Sequence, residues 1–274
     1  MPVFSCPVCK SGLERLSAVY RCRNGHSFDI AAQGYVNLLP SDKSRANAGD
    51  NAQMIAARSR FLNSGYYACL KDAVAMCVLK AAGKSGKQPL VIDAGCGEGY
   101  YTAGIADCLA AHGIAASVSG IDLSKRGIAR ASKRYKNVQF AVAGIFNMPY
   151  ADNSADVIVS IFAPLCDSEF RRILKPSGTL FVVTPGRDHL LGLKRVLYDN
   201  PYLNDEDKYC PQGFRFINSQ RIKKEITVKG EQIYDLFTMT PYFYNTPAGA
   251  AERLKDINEL ITPIDFIITE LERL

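Results

Sequence analysis

Apolar runs and helix-spaced apolar positions alternate along the chain from residue 90 to residue 184. Short runs rich in β-branched residues predict strands, and the stretches between them space their apolar residues as amphipathic helices do. The predicted strands are Leu90–Ala94, Ala116–Ile121, Val138–Ala143, Val157–Ile161 and Thr179–Thr184, and the predicted helices are Thr102–His112, Arg126–Tyr135 and Ser168–Leu174. This alternation is typical of an α/β fold whose parallel sheet is covered by helices on both faces.

The same kind of pattern continues on both sides of this core. Helices are predicted at Asp50–Gly65 and Tyr67–Ala82, and a last pair of strands at Gln220–Val228 and Ile264–Glu270 brackets a helix at Gly230–Phe237. No run of 18 apolar residues occurs, so no transmembrane helix is expected. The first residues also lack the charged and then apolar order of a signal peptide.

Composition and charge narrow the class of protein only moderately. A chain of 274 residues with 47% hydrophobic content can bury a full core, most simply as one large domain and a small module. The net charge of +6 is consistent with an anionic partner but is common among enzymes. Nine cysteines, an odd number, indicate reduced thiols and therefore a cytoplasmic location.

Four residues of metal-binding type cluster near the N-terminus. Cys6, Cys9, Cys22 and His26 form a C-x2-C…C-x3-H pattern, which supplies the four tetrahedral ligands that zinc prefers. Ordinary cysteines or a disulfide pair are the alternative. The spacing predicts one structural zinc ion in a β module over residues 1–40, because a segment this short needs metal to fold. Residues 41–88 are then a linker with two helices, and residues 89–274 form the main α/β domain.

A glycine loop follows the first predicted strand of the core. Asp93, Gly95, Gly97 and Gly99 form a D-x-G-x-G-x-G segment that leads into a helix. It differs from the dinucleotide fingerprint G-x-G-x-x-G and resembles the cofactor loop of S-adenosylmethionine-dependent methyltransferases. Asp93 is expected to order the loop by accepting backbone N–H bonds. Asp122, at the tip of the second strand, is expected to accept ribose hydroxyls, with a turn or cap role as the alternative.

The fourth strand is expected to carry the group that meets the substrate. Phe162 and Pro164 follow it and would form a flat platform for a nucleobase, or simply a turn. Cys166 raises the alternative of a covalent mechanism on a pyrimidine. No neighbouring cation would stabilise its thiolate, so an inert cysteine is favoured.

Several longer segments resemble one known family. The segments are the C-P-V-C and C-x3-H ligands, G-Y-V-N-L-L-P at 34–40, R-F-L at 60–62, G-Y-Y at 65–67, G-C-G-E-G-Y-Y-T at 95–102, A-P at 163–164, T-P-G at 184–186 with His189, and M-T-P at 239–241. On these, nearly the whole chain is similar to the RlmA family of 23S ribosomal RNA guanine-N1-methyltransferases, which includes the Gram-positive branch linked to tylosin resistance.

The resemblance implies a fold, a cofactor and a partner. It implies a Rossmann-like class I methyltransferase domain that uses S-adenosylmethionine, a zinc-bearing domain that helps to recognise an RNA hairpin, and a homodimer. It further implies cofactor contacts at Tyr67, Tyr101, Thr102 and His189. By local pattern alone, His189 would open a helix and Tyr67 would be a core residue.

Methylation of guanine N1 requires removal of a proton, so a base is expected near the fourth strand. Asp167 and Glu169 are candidates, although acids also favour the first turn of a helix for electrostatic reasons.

Two other functions remain open. A small-molecule methyltransferase acting on a quinone-like acceptor would explain the glycine loop but not the zinc module. A catalytically inactive zinc-ribbon interaction protein would explain the module but not the intact loop.

Overall fold

A computed structural model describes residues 3–39, 51–85, 88–206, 209–246 and 249–274. The strands are β1 (Leu13–Leu16), β2 (Val19–Cys22), β3 (Ser27–Asp29), β4 (Val36–Asn37), β5 (Leu90–Ala94), β6 (Ser117–Asp122), β7 (Gln139–Val142), β8 (Ala155–Ile161), β9 (Leu174–Pro185), β10 (Phe214–Lys229) and β11 (Glu259–Arg273). The α-helices are α1 (Ala52–Asn63), α2 (Ala68–Ala82), α3 (Tyr100–Ala111), α4 (Lys125–Arg134), α5 (Asp167–Ile173), α6 (Leu191–Leu197), α7 (Glu231–Thr238) and α8 (Tyr242–Asn245).

An eight-stranded sheet forms the centre of the fold, in the order β10-β11-β9-β8-β5-β6-β7-β4. The strands from β9 to β4 are parallel, and β11 and β10 complete the sheet antiparallel to their neighbours. The predicted α/β fold with a parallel sheet is therefore confirmed. Because β5, β6, β7 and β8 run in one direction, their carboxyl ends meet at one edge, where ligands bind in open α/β sheets.

The last two strands are much longer than the sequence pattern indicates. β10 and β11 span 16 and 15 residues and pair from Phe214 opposite Arg273 to Lys229 opposite Glu259. Most side chains of β10 are exposed, since it is the edge strand and little packs on it. Without a buried face there is no apolar alternation, so the prediction found only residues 220–228.

The N-terminal module is a separate three-stranded antiparallel sheet, β1-β2-β3, that packs directly against the main sheet. The Phe4 ring lies 5.7 Å from the Tyr150 ring, and the amide of Ser5 donates to the carbonyl of Pro149 at 2.7 Å. β4 then pairs in parallel with β7 and becomes the edge of the main sheet. The module and one face of the main sheet thus share one hydrophobic core. The division at residues 40 and 88 stays a prediction, with residues 40–50 outside the described ranges.

Helices cover the opposite face of the sheet and hold helix α1 above the glycine loop. The hydrophobic core between these helices and the sheet includes Leu70 and Val74 of α2 and Ile105 of α3. Arg60 of α1 forms a bidentate ion pair with Asp235 of α7, which fixes the position of α1. None of the helices in the described part of the chain is long and apolar enough to cross a membrane.

Candidate methyltransferase site and zinc centre

The four predicted metal ligands meet in one cluster. Their ligand atoms all lie within 4.8 Å of one another. Tetrahedral zinc with Zn–S and Zn–N bonds of about 2.3 and 2.0 Å places two sulfurs about 3.8 Å apart and a sulfur and a nitrogen about 3.5 Å apart. The Cys9 and Cys22 sulfurs are 3.7 Å apart, and Nδ1 of His26 lies 3.6 and 3.3 Å from the sulfurs of Cys6 and Cys22. The cluster has the dimensions of a zinc site.

The donor chemistry of the cluster also fits zinc rather than a disulfide. All nine cysteines are free, so the disulfide alternative is wrong. The Ser11 hydroxyl lies 3.1 Å from the Cys9 sulfur, and this hydrogen bond lowers the pKa of the thiol to about 5, which favours the thiolate that binds metal. Four protein ligands complete the coordination shell, so the ion is structural and has no open position for catalysis.

The glycine loop forms a tight turn at the carboxyl end of β5. Gly95, Gly97 and Gly99 all have positive φ angles, of 89°, 55° and 79°. A Cβ on Gly95 would lie 2.5 Å from that of Ala163, directly after β8. A Cβ on Gly99 would lie 2.9 Å from the Phe140 ring. Both the conformation and the close packing therefore require glycine, and the loop presents bare backbone at the start of α3.

The hydrogen bonds of Asp93 differ from those predicted, and Asp122 makes loop contacts in addition to its predicted role toward ribose. The prediction that Asp93 accepts backbone N–H bonds is wrong: its Oδ2 accepts the hydroxyl of Thr102 at 2.6 Å. Asp122 instead orders the loop, because its two oxygens accept the amides of Gly97 at 2.9 Å and Ser124 at 2.7 Å. Asp122 therefore has the turn-stabilising role that the sequence analysis gave as the alternative to a ribose contact.

Asp93 provides a test of whether the loop fits a cofactor with a cationic end. Its Oδ1 is buried and has no hydrogen-bond partner among the described residues. Burial raises the pKa of Asp93 to about 7, although the Thr102 hydroxyl opposes this. An unpartnered buried carboxylate oxygen is costly, and a ligand ammonium group would remove that cost. The residues present therefore fit the amino group of S-adenosylmethionine.

An aromatic cluster lies beside the loop, at the carboxyl end of β8. It joins Tyr67, Phe162, His189 and Phe266, with neighbouring ring centroids 4.8 to 6.2 Å apart. Phe162 has a φ of 52°, a strained angle for a non-glycine residue, and leaves 45% of its surface exposed. The predicted platform residue therefore faces outward above His189, whereas Tyr67 and His189 are buried.

His189 lies in the turn before a helix rather than at its start. Leu190 has a left-handed φ of 57°, and α6 begins only at Leu191. The predicted helix at His189 is therefore wrong by two residues. The segment instead folds back so that His189 reaches Tyr67, whose hydroxyl lies 3.4 Å from Nε2. Of the other implied cofactor residues, Tyr101 and Thr102 lie in the first turn of α3, with Thr102 fully buried.

The candidate bases differ sharply in their surroundings. Burial disfavours ionised Glu169, but hydrogen bonds from Arg172 and the amide of Met148 outweigh it and lower its pKa. These contacts engage both carboxylate oxygens of Glu169, which favours a structural role over that of a base. Asp167 is exposed and accepts the Tyr209 hydroxyl. The Cys166 sulfur lies 3.6 Å from the Ser168 hydroxyl, and among the described residues no hydrogen bond joins it to a cation, which agrees with an inert thiol.

Helix α1 contributes residues to the site that the sequence did not assign. The Arg58 guanidinium donates to the carbonyl of Met239 at 3.1 Å and lies 3.9 Å from where a Cβ on Gly97 would be. Burial raises the pKa of Glu98 in the loop, and a hydrogen bond with Ser59 opposes this. The helical pattern of residues 50–65 predicted the helix, but nothing in it indicated that the helix covers the loop.

Comparison with known proteins agrees with both halves of this description. A family profile described as "RlmA, N-terminal", a zinc ribbon, matches residues 4–47, and one described as "Methyltransferase domain" matches residues 85–238. The 23S rRNA (guanine(748)-N(1))-methyltransferase of Streptomyces fradiae is 33% identical over 96% of this chain and 95% of its own. The YxjB protein of Bacillus subtilis, assigned as a 23S rRNA (guanine-N(1)-)-methyltransferase, is 32% identical over 97% and 96%.

A third relative gives the same result over a shorter span. A protein of Micromonospora griseorubida assigned to the same activity is 40% identical over 72% of this chain and 72% of its own. The matches to all three extend well beyond the glycine loop, which many unrelated methyltransferases have. With its zinc ribbon and its methyltransferase domain, the chain belongs to the RlmA family of S-adenosylmethionine-dependent 23S rRNA (guanine-N1-)-methyltransferases.

Proposed function

We propose that the chain methylates N1 of one guanosine in a hairpin of 23S ribosomal RNA, with S-adenosylmethionine as the methyl donor. The observation that carries this proposal is the zinc module packed onto a methyltransferase sheet, in a chain that matches rRNA methyltransferases over nearly its whole length. A quinone-directed enzyme would not need the module. An inactive scaffold would have no need for the glycines whose close packing forms the loop.

The cofactor is proposed to lie across the loop at the carboxyl ends of β5 and β6. The unpartnered oxygen of Asp93 would receive its amino group, and Asp122 its ribose. Gly95, Gly97 and Gly99 would line its path, and Tyr67, Tyr101, Thr102 and His189 would complete its surroundings. When bound, S-adenosylmethionine supplies a methyl group that its sulfonium makes electrophilic.

The chain's own residues would then orient the guanine and receive its proton. N1 lies on the Watson–Crick edge, so the target base must leave its pair, and the exposed ring of Phe162 beside Pro164 offers a face on which it can stack. The imidazole of His189 is neutral, because burial lowers its pKa to about 3. Of the two candidate acids, Asp167 remains available to accept the N1 proton. Much of the acceleration would come from positioning.

The affinity for the cofactor should rise with pH up to about 7. Free Asp93 has a raised pKa of about 7, and a bound ammonium group favours its carboxylate, so binding below this pH must expel a proton. S-adenosylhomocysteine keeps the amino group, so its dissociation constant should decrease about tenfold for each pH unit by which the pH is raised toward 7. Above pH 7 the dissociation constant should level off. Calorimetry between about pH 5.5 and 7, with zinc content checked at each pH, measures this. Asp93→Asn should bind weakly with no slope, and a flat wild-type profile would contradict the proposed contact.

Labelled S-adenosylmethionine and unmodified 23S rRNA test the function. We expect one labelled guanosine and a stop of reverse transcription at it, because an N1-methyl group blocks Watson–Crick pairing. A demethylated quinone serves as the competing acceptor. Label in the quinone and none in the RNA would refute the proposal, and label at a pyrimidine would restore a role for Cys166. The homodimer and the cytoplasmic location stay predictions; within the described part of the chain β10 is an edge strand and exposes Phe216, which supports self-association.

A further inference from the structure

Asp265, on β11, holds the turn that carries His189 through three separate contacts. Its backbone carbonyl accepts the amide of Gly186 at 2.8 Å, and its carboxylate accepts the amide of Asp188 at 3.1 Å. Its own amide donates to Nδ1 of His189 at 3.2 Å. A Cβ on Gly186 would lie 2.5 Å from this carboxylate, so the turn and the acid are in close contact.

The Asp265 carboxylate is itself fixed by an arginine. Its side chain is fully buried, and Arg221 of β10 donates to both of its oxygens, at 2.8 and 2.6 Å. Burial opposes the ionisation of Asp265, but Arg221 and the Asp188 amide outweigh it and lower its pKa. Arg221 also pairs with Glu206 at 3.0 Å. A bidentate arginine fixes orientation as well as charge, so Asp265 has little freedom to move.

These contacts determine which nitrogen of His189 carries the proton. Because Nδ1 accepts the Asp265 amide, it has no hydrogen, and a neutral imidazole must then be protonated at Nε2. Nε2 therefore donates to the Tyr67 oxygen, 3.4 Å away. The Tyr67 hydroxyl hydrogen is left without an acceptor among the residues that the structure describes, although Tyr67 is buried. This leaves the hydroxyl hydrogen to be donated to a bound molecule.

We propose that Asp265 is a positioning residue of the methyl-transfer site, which fixes His189 as an Nε2–H donor and so directs the Tyr67 hydroxyl at an acceptor oxygen of the bound reactants. That oxygen is either the cofactor carboxylate or O6 of the guanine, which gains negative charge as N1 loses its proton. His189 is then a donor and not a base. This inference rests on the proposed function only for the identity of the methyl acceptor.

Nitrogen-15 NMR of the imidazole rings tests the tautomer without RNA. The chain has only three histidines, so His189 can be assigned by comparison with a His189→Gln variant. We expect an unprotonated Nδ1 and a protonated Nε2 near neutral pH. Both Asp265→Asn and the milder Arg221→Gln, at a half-exposed side chain, keep the backbone amide of residue 265 but loosen the carboxylate that holds the Asp188 amide. The turn should then shift, Nδ1 should lose its contact with that backbone amide, and the other tautomer should be populated. Lys229→Gln is the matched control, because Lys229 forms a cross-strand pair with Glu259 where β10 ends and β11 begins, at 2.9 Å.

Kinetics then separates a positioning role from a structural one. Asp265→Asn and Arg221→Gln should lower kcat about tenfold or more and leave KM for the RNA within about twofold. Zinc content should be unchanged, and the melting temperature of Arg221→Gln close to the wild type. If these variants bind S-adenosylhomocysteine more weakly, the Tyr67 hydroxyl donates to the cofactor carboxylate. If their affinity for it is unchanged, the hydroxyl donates to the guanine O6.

Two results would overturn the inference. One is a wild-type His189 that is protonated at Nδ1. The other is a pair of variants in which both the tautomer and kcat match those of Lys229→Gln. If the wild-type chain fails to methylate rRNA, the proposed function fails, but the tautomer measurement still decides the role of Asp265.

Discussion

Cys22→Ser should lose its zinc, its activity on RNA and a large part of the stability of the N-terminal module. Structural zinc supplies about 10–16 kcal/mol of apparent binding free energy to small modules, far more than a segment of this size gains from its own core. Cys22 is buried at the end of β2, so a hydroxyl there would neither bind zinc well nor fill the space of the sulfur. We expect rRNA methylation to fall at least about 100-fold, which is near 3 kcal/mol.

The shared core determines how far this damage spreads. Phe4 and Leu13 of the module pack in the same cluster as Ile121 and Ala141 of the main sheet, so the melting temperature of the whole chain should fall. The glycine loop lies at the carboxyl end of β5, and among the described residues the atoms nearest to its three glycines belong to segments other than the zinc ligands. The affinity for S-adenosylhomocysteine should therefore weaken only a few-fold. Zinc analysis, thermal unfolding and calorimetry measure the three effects.

Cys210→Ser is the control for this substitution. Cys210 is an exposed free thiol outside the metal cluster, and its replacement should change neither zinc content nor activity. If Cys22→Ser kept full activity on RNA after losing its zinc, the module would have no part in the reaction. If cofactor binding were abolished together with RNA methylation, the module would be an integral part of the catalytic fold.

The sequence predicted the parallel core well because its strands are buried on both faces. The predicted first strand, Leu90–Ala94, agrees with β5 at both ends, and the next two strands differ by one residue at most boundaries. Such strands are short apolar runs between turn residues, which makes them visible locally. β4 has two residues and joins the sheet through its pairing with β7, more than a hundred residues away, so no local pattern could identify it.

The residues of the candidate site likewise fall into those that local motifs identify and those that only the assembled fold brings together. The metal ligands and the three glycines form local motifs, because a turn or a metal imposes spacing within a few residues. Asp265 lies 76 residues after His189 and contacts it through a backbone amide, which leaves no trace in residue type. The hydrogen bonds of Asp93 and Asp122 likewise depend on the direction of each side chain at the ends of β5 and β6. Such features follow only from the assembled sheet.

Gly95→Ala should abolish cofactor binding while the zinc centre remains intact. The added methyl would lie 2.5 Å from the Cβ of Ala163 and 3.4 Å from the side chain of Ile145. Both neighbours belong to segments at the carboxyl ends of strands, so relief requires moving backbone that forms the site. The φ of 89° adds strain for any residue with a Cβ, of about 1–2 kcal/mol. We expect affinity for S-adenosylhomocysteine to fall at least about 100-fold, as measured by calorimetry.

Gly113→Ala separates the two causes. Gly113 has a similar φ of 73°, but no atom lies within 4 Å of where its Cβ would be, so only the strain applies there. This control should lose about 1–2 kcal/mol of stability and keep its cofactor affinity. If both variants bind the cofactor equally well, the close approach of Gly95 to Ala163 has no part in binding. If Gly95→Ala alone fails, the contact between the loop and the segment after β8 forms the cofactor site, and Phe162 in that segment is held in place by the same contact.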